Sequence, residues 1–191
     1  LSGNRGEWSE IYTFFKLLAD GKLHAANADL SLNPSSYYPI VKIIRRQKSF
    51  TFEYVLHDSN ISISRDDSHS VLKTIDRNEF ATAMTDLLSA ITQARSTFEV
   101  PAVEAILTQC EITSLKEPHN DKGDISLVAH DSKVNQDKEF AFSIKSQLGS
   151  ASTLLNASGA TNFKFRINGD LTDTEIQSLN LLGPKDLLNH L

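Results

Sequence analysis

Two segments past the middle of the chain constrain its fold more than any other feature. Ile125, Leu127 and Ala129 fall on one side of the first, and Phe140, Phe142 and Ile144 on one side of the second. Period-two alternation of this kind marks half-buried strands, here over 124–130 and 139–147. The polar run from His130 to Lys138 reads as a turn, so the two strands form a hairpin. A symmetric turn centred between residues 134 and 135 sets Asp124 opposite Lys145, with Cβ atoms about 5 Å apart. One face is then apolar, and the other gathers Asp124, Ser143, Lys145 and Gln147.

The rest of the pattern supplies helices to cover such a sheet. Trp8, Ile11, Tyr12, Phe15 and Leu18 follow helical spacing within 7–20, and Asp20-Gly21 is a stop. Phe80, Met84, Leu87, Leu88 and Ile91 form one stripe within 77–95, with Asp76 or Asn78 as N-cap. Shorter helices are expected from Pro101 to Leu107 and from Thr172 onward. Further strands are expected at 40–44, 50–56, 61–64 and 110–115, and 34–39 reads as a loop between Pro34 and Pro39. These elements predict an α/β or α+β fold, with a mixed central sheet flanked by helices, in one domain over 1–191. The chain begins without Met and stops soon after Gly183-Pro184, so a C-terminal part of the natural protein is expected beyond it.

Composition excludes several classes. No apolar run approaches the roughly 20 residues that span a bilayer, so no membrane partner is expected. A single cysteine, Cys110, excludes an internal disulfide framework and points to a reducing, cytoplasmic compartment. No basic segment followed by an apolar one marks a signal peptide. The 6 His residues lack HxH or HExxH spacing, and there is no P-loop or GxSxG elbow. The net charge of −5 argues mildly against a polyanion as partner. Its distribution is uneven, however. Residues 140–169 carry no Asp or Glu, and Lys42 to Lys48 form a basic run that reads most simply as a solvated face.

A carboxylate beside a lysine at a strand end suits metal-assisted phosphodiester hydrolysis. Asp124 would hold Mg²⁺, a hard cation that takes oxygen ligands, and the carbonyl of Ile144 would add another. Lys145 would orient the attacking water and offset phosphate charge. An ordinary cross-strand ion pair meets the same spacing. The first helix contributes a second acid. With Glu7 at 0° and about 100° per residue, the apolar stripe runs from about −20° to +140°, so Glu7 lies within it and Glu10 at its edge. A carboxylate on a buried face is costly unless paired or bound to metal, although an acid in a first turn is also favoured by the helix dipole.

Asp124 followed by Ser143-Ile144-Lys145 is similar to the PD-(D/E)xK nuclease signature. Longer phrases are more specific: Gly3-Asn-Arg-Gly-Glu7-Trp-Ser-Glu10, Leu17-Leu-Ala-Asp-Gly-Lys-Leu23, Asp121-Lys-Gly-Asp124-Ile, Phe142-Ser-Ile-Lys-Ser-Gln-Leu-Gly149 and Thr153-Leu-Leu-Asn-Ala-Ser-Gly-Ala-Thr-Asn-Phe163 resemble the HpaII-type restriction endonucleases. The resemblance implies a restriction-endonuclease-like core and a type II enzyme that cuts double-stranded DNA with Mg²⁺ at CCGG or a related tetranucleotide. It implies Asp124 as the motif acid and Lys145 as the motif lysine. Ser143 stands where an acid is usual. Glu7 is then the first choice for the second metal-binding acid, with Glu10 and Glu104 in reserve, and Gln147 would position water or phosphate. Asn156, Ser158, Thr161 and Asn162 are candidate DNA contacts, with Lys164 and Arg166 for phosphates and Ser143 beside them. The rival reading is a DNA-binding module that kept the fold and lost cleavage. An acidic protein-interaction domain is the third.

Overall fold

A computed structural model describes residues 1–47, 49–68, 70–117, 123–146, 148 and 171–181. In chain order the elements are β1 (Ser2–Gly3), α1 (Arg5–Asp20), β2 (Lys22–Ala26), β3 (Leu32–Arg46), β4 (Thr51–Leu56), β5 (Asn60–Arg65), β6 (Val71–Asp76), α2 (Arg77–Gln93), β7 (Phe98–Glu99), α3 (Glu104–Gln109), β8 (Ile125–Asp131), β9 (Gln136–Phe142) and α4 (Asp173–Asn180). A 3₁₀ turn, Pro101–Val103, precedes α3. The chain divides into two compact units, 1–152 and 153–191. In the second, the described helix α4 starts on a capping box in which Thr172 accepts from the Glu175 N–H and the Glu175 carboxylate accepts from the Thr172 N–H.

The first unit is α+β. Its main sheet runs β6-β5-β4-β3-β8-β9, with β2 also paired to β3, and every described pairing is antiparallel. One sheet face carries Ile43, Phe52, Tyr54, Ile61, Ile63, Ile75, Ile125 and Leu127 into the core. Helix α1 meets it with Trp8, Ile11, Phe14, Phe15 and Leu18, all essentially inaccessible to solvent. The Phe14 ring stands edge-on to Tyr54 at 4.9 Å, and Phe15 edge-on to Phe80 of α2 at 5.5 Å. Such pairs add to the burial that fixes the helix. The Tyr54 hydroxyl satisfies itself by donating to the Cys110 carbonyl at 2.7 Å.

The ends of α1 are firmly closed. Asn4 caps the start, accepting from the Glu7 N–H, while Glu7 accepts from the Asn4 N–H. At the other end Gly21 takes φ +66° and its N–H reaches the Leu17 carbonyl at 2.9 Å. Arg77 donates to the carbonyls of Leu18 and Ala19, and also to His57 and Asp58, tying the end of α1 to the β4–β5 turn.

Several sequence expectations are corrected. The 34–39 segment is strand, not loop. Pro39 lies opposite Lys22 at the β2 border, where the sheet tolerates a residue without an N–H. Residues 110–115 form no strand; Glu111 has φ +57°, and Ser114 and Leu115 lend their carbonyls to Arg45. The 42–48 run is not a solvated face in its described part: Lys42 pairs with Glu53 at 2.6 Å, Arg45 is buried, and Arg46 bonds Ser126 and faces Glu139. Strands β2 and β6 lay outside the sequence reading, because both carry mixed, mostly exposed residues without clean alternation.

The hairpin register also differs. Strands β8 and β9 extend closer to the turn than their polarity suggests, from Ile125 opposite Phe142 to Asp131 opposite Gln136. Asn135, at φ +50°, supplies the left-handed residue of the tighter turn. Continuing this register brings Asp124 level with Ser143, not Lys145, and strand pairing stops at Phe142 rather than 147.

A Cβ at Gly21 would stand 2.5 Å from the Arg77 guanidinium and force a left-handed non-glycine conformation. Gly21→Ala is therefore expected to lower unfolding stability by about 1–3 kcal/mol, read by denaturant titration. Arg77→Gln should lower it through the same joint.

Candidate active site

The site forms where the open end of the β8–β9 hairpin meets the first turns of α1. The Asp124 N–H donates to the Phe142 carbonyl at 2.8 Å, and the Ile144 N–H donates to Asp124 Oδ2 at 2.7 Å. The carboxylate is thus held by the very segment that follows β9. Gly123 permits the approach: a Cβ there would lie 3.0 Å from the Phe142 nitrogen. Two residues past Ile144's tether, the Ser146 hydroxyl shares a 3.0 Å hydrogen bond with Ser9 of α1, and Ser9 donates to the Arg5 carbonyl at 2.7 Å. Lys145 is bracketed by these two tethers. It is exposed and has no ion-pair partner among the described residues.

Glu10 follows Ser9 on α1. Burial, and next the charge of Asp124, push its carboxyl up to about 7, against the weaker pull of Arg45 and Lys116. Two acids on different elements, Glu10 of α1 and Asp124 before β8, are thus close enough to interact electrostatically. Arg45, on β3, lies 5.8 Å from the centre of the Phe14 ring. It donates to the Ser114 and Leu115 carbonyls at 2.8 Å and stands 3.8 Å from Glu117, while its buried Nε has no partner among the described residues. Sequence reading missed it as a core residue. The signal was present, since Arg45 shares the parity of Ile43 on an alternating strand.

Glu7 is placed differently from the apolar stripe to which its helical angle assigned it. It sits in the first turn, closes the capping box and pairs with Lys116 at 3.1 Å. The Asn4 N–H, the largest influence, and Lys116 hold its carboxyl below the usual range, with burial opposing them. Glu104 pairs with the amino group of Leu1. Ser143 is exposed beside the Asp124 level. Gln147, Asn156, Ser158, Thr161, Asn162, Lys164 and Arg166 lie outside the described residues. Among the described residues no three His, Cys, Asp or Glu side chains cluster closely enough to hold a metal by themselves. Any ion here would draw on the Asp124–Glu10 pair together with main-chain oxygen and water.

The sequence profile described as HpaII restriction endonuclease matches residues 4–188. The chain belongs to the HpaII restriction endonuclease family. Family membership covers both the α1 acids and the hairpin carrying Asp124 and Lys145. A curated relative, the type II restriction enzyme HpaII of Haemophilus parainfluenzae, is 38% identical over 190 residues, 95% of this chain and 50% of the relative. The chain thus spans about half the length of that protein. No solved structure matches it. No described helix is long and apolar enough to cross a membrane.

The Glu10 shift has a definite sign. Its folded-state pKa lies above the ordinary carboxylate value of 4.5, so its contribution to stability is complete below that value and is lost as pH rises through about 7. In metal-free buffer, Glu10→Gln should therefore gain on the parent in melting temperature between pH 5 and pH 8.5. Equal differences at both pH values would show that Glu10 is not desolvated beside Asp124.

Proposed function

We propose that this chain is the catalytic part of a type II restriction endonuclease that hydrolyses double-stranded DNA with Mg²⁺ in a prokaryotic cytoplasm. The family resemblance implies CCGG or a related tetranucleotide as its site, with 5′-phosphate ends as products. One pair of observations supports the reading: the Asp124 charge acts on a desolvated Glu10, and Asp124 is tethered to the Ile144 N–H next to Lys145, which is exposed and pairs with no described residue, in a chain of this family.

The donor chemistry fits a hard divalent cation. Asp124 raises the proton affinity of Glu10, and a dication placed between them would relieve that repulsion. Asp124, Glu10 and the Ile144 carbonyl would hold it, and once bound it would acidify a water and offset charge on the phosphate. The chain's own groups do the rest. The Ile144 N–H fixes one Asp124 oxygen, leaving the other as a ligand. Ser146, tied to Ser9, holds the far side of Lys145, so its ammonium is presented from a braced backbone. That ammonium orients the attacking water and stabilises charge on the phosphate. Glu10 must lose its proton to serve, so protons compete with the cation and apparent Mg²⁺ affinity rises with pH.

Glu10 replaces Glu7 as our choice for the second acid, because Glu7 is occupied by the α1 cap and by Lys116. Ser143, where the signature has an acid, is the observation favouring the rival, a DNA-binding module without cleavage. Asn156, Ser158, Thr161, Asn162, Lys164 and Arg166 stay our candidates for base and phosphate contacts, with Gln147 for water, on their carboxylate-free composition.

Plasmid cleavage in Mg²⁺ separates the readings. The parent should yield discrete fragments, and Asp124→Asn, Glu10→Gln and Lys145→Ala should each lower the rate by about 10²- to 10⁴-fold. Glu7→Gln should retain most activity while losing stability. Salt-dependent binding with no cleavage by the parent would select the rival.

A further inference from the structure

One residue beyond Lys145, the surface opens into a depression of about 720 Å³. Asn4 and Arg5 line it from the start of α1, Arg95, Ser96 and Thr97 from the segment after α2, and Ser146 from the strand extension. No described lining residue is acidic, which is unusual in a chain of net charge −5. Arg5 is built in: it donates to the carbonyls of Ala94 and Leu148, and its buried Nε has no partner among the described residues. Its charge is therefore fixed in place with no neutralising carboxylate among the described residues. Arg95 is exposed and makes no ion pair with a described residue. Asn4 spends its side-chain oxygen on the Glu7 N–H, which leaves its amide nitrogen as a donor alongside the Thr97 hydroxyl, while the Ser96 hydroxyl donates to the Thr97 carbonyl at 3.4 Å.

Two cations and several small donors, with no aromatic lining on which a base could stack, describe a receptor for a phosphodiester rather than a nucleotide base. The depression is open rather than enclosed, which suits a polymer backbone crossing it and not a small ligand buried within. Ser146 links it directly to the site, since the same hydroxyl that braces Lys145 forms part of its wall.

We propose that this depression holds a backbone phosphate flanking the one that is cut, with Arg95 as the direct contact and Arg5 as the fixed charge in its wall. The inference rests on the duplex-cutting reading above and extends it to a second phosphate subsite. Its function is registration: a duplex gripped here is held along its axis relative to Lys145.

The test is equilibrium binding of the full-length protein to a duplex oligonucleotide without divalent metal, over a series of salt concentrations. Arg95→Glu should weaken binding about tenfold or more and lower the slope of log K against log salt by about one. Arg65→Glu, which removes the same charge at the Asp67 pair on β5, serves as control and should leave both unchanged. Unchanged affinity and slope in Arg95→Glu, with salt-dependent binding and cleavage by the parent, would overturn the subsite and leave the nuclease reading standing. A parent that binds no duplex would sink both. Saturable binding of inorganic phosphate that is lost in Arg95→Glu, with duplex affinity unaffected, would mark a free-anion site and also overturn the proposal.

Discussion

Everything at the site depends on how α1 beds onto the sheet. Five large side chains of this helix, Trp8, Ile11, Phe14, Phe15 and Leu18, are buried against β3, β4 and α2, and truncating any one of the aromatics would cost about 3–5 kcal/mol. That burial leaves the helix no freedom to rotate about its axis. Glu10 lies at the margin of the buried stripe, so it is carried to the boundary between core and solvent, opposite the end of β8. Desolvation there raises its proton affinity, and Asp124 raises it further. An acid is expensive in such a position, and a divalent ion is the partner that would make the arrangement stable when the site is loaded.

The hairpin end is organised by small polar contacts, not by packing. The Ile144 N–H and the Ser9–Ser146 pair fasten the strand extension at two points on either side of Lys145. Both lie beyond the last paired residue of β9, so sheet hydrogen bonding contributes nothing to their order. Arg5 closes the same corner by joining the starts and ends of three segments through main-chain carbonyls. Proposed catalytic and phosphate-gripping roles would thus share one set of braces.

Arg45 is the counterweight beneath. Its guanidinium is buried, bonded to two carbonyls of the 112–117 segment and near Glu117. Its charge lowers the proton affinity of Glu10, whereas that of Asp124 raises it. Its hydrogen bonds hold in place a segment that joins no strand.

The amino-acid sequence alone determined the element types at the core: the helix around Phe14, the helix around Phe80, and the alternating strands that bear Tyr54 and Leu127. It also pointed to Asp124, Lys145 and an acid on the first helix, because local periodicity and residue chemistry are written position by position. What tertiary structure decided were the relations between those positions. The β8–β9 register turned on whether the polar residues His130, Asp131, Gln136 and Asp137 pair or loop, and pairing won through a tight turn closed at Asn135. The different surroundings of Glu7, claimed by the cap and Lys116, and of Glu10, desolvated, were likewise set by distant neighbours. Arg45 turned from a surface charge into a core residue only when β3 acquired neighbours on both sides. Helical angle and strand parity are local quantities, whereas solvation and charge coupling depend on which distant segments come to lie against a side chain.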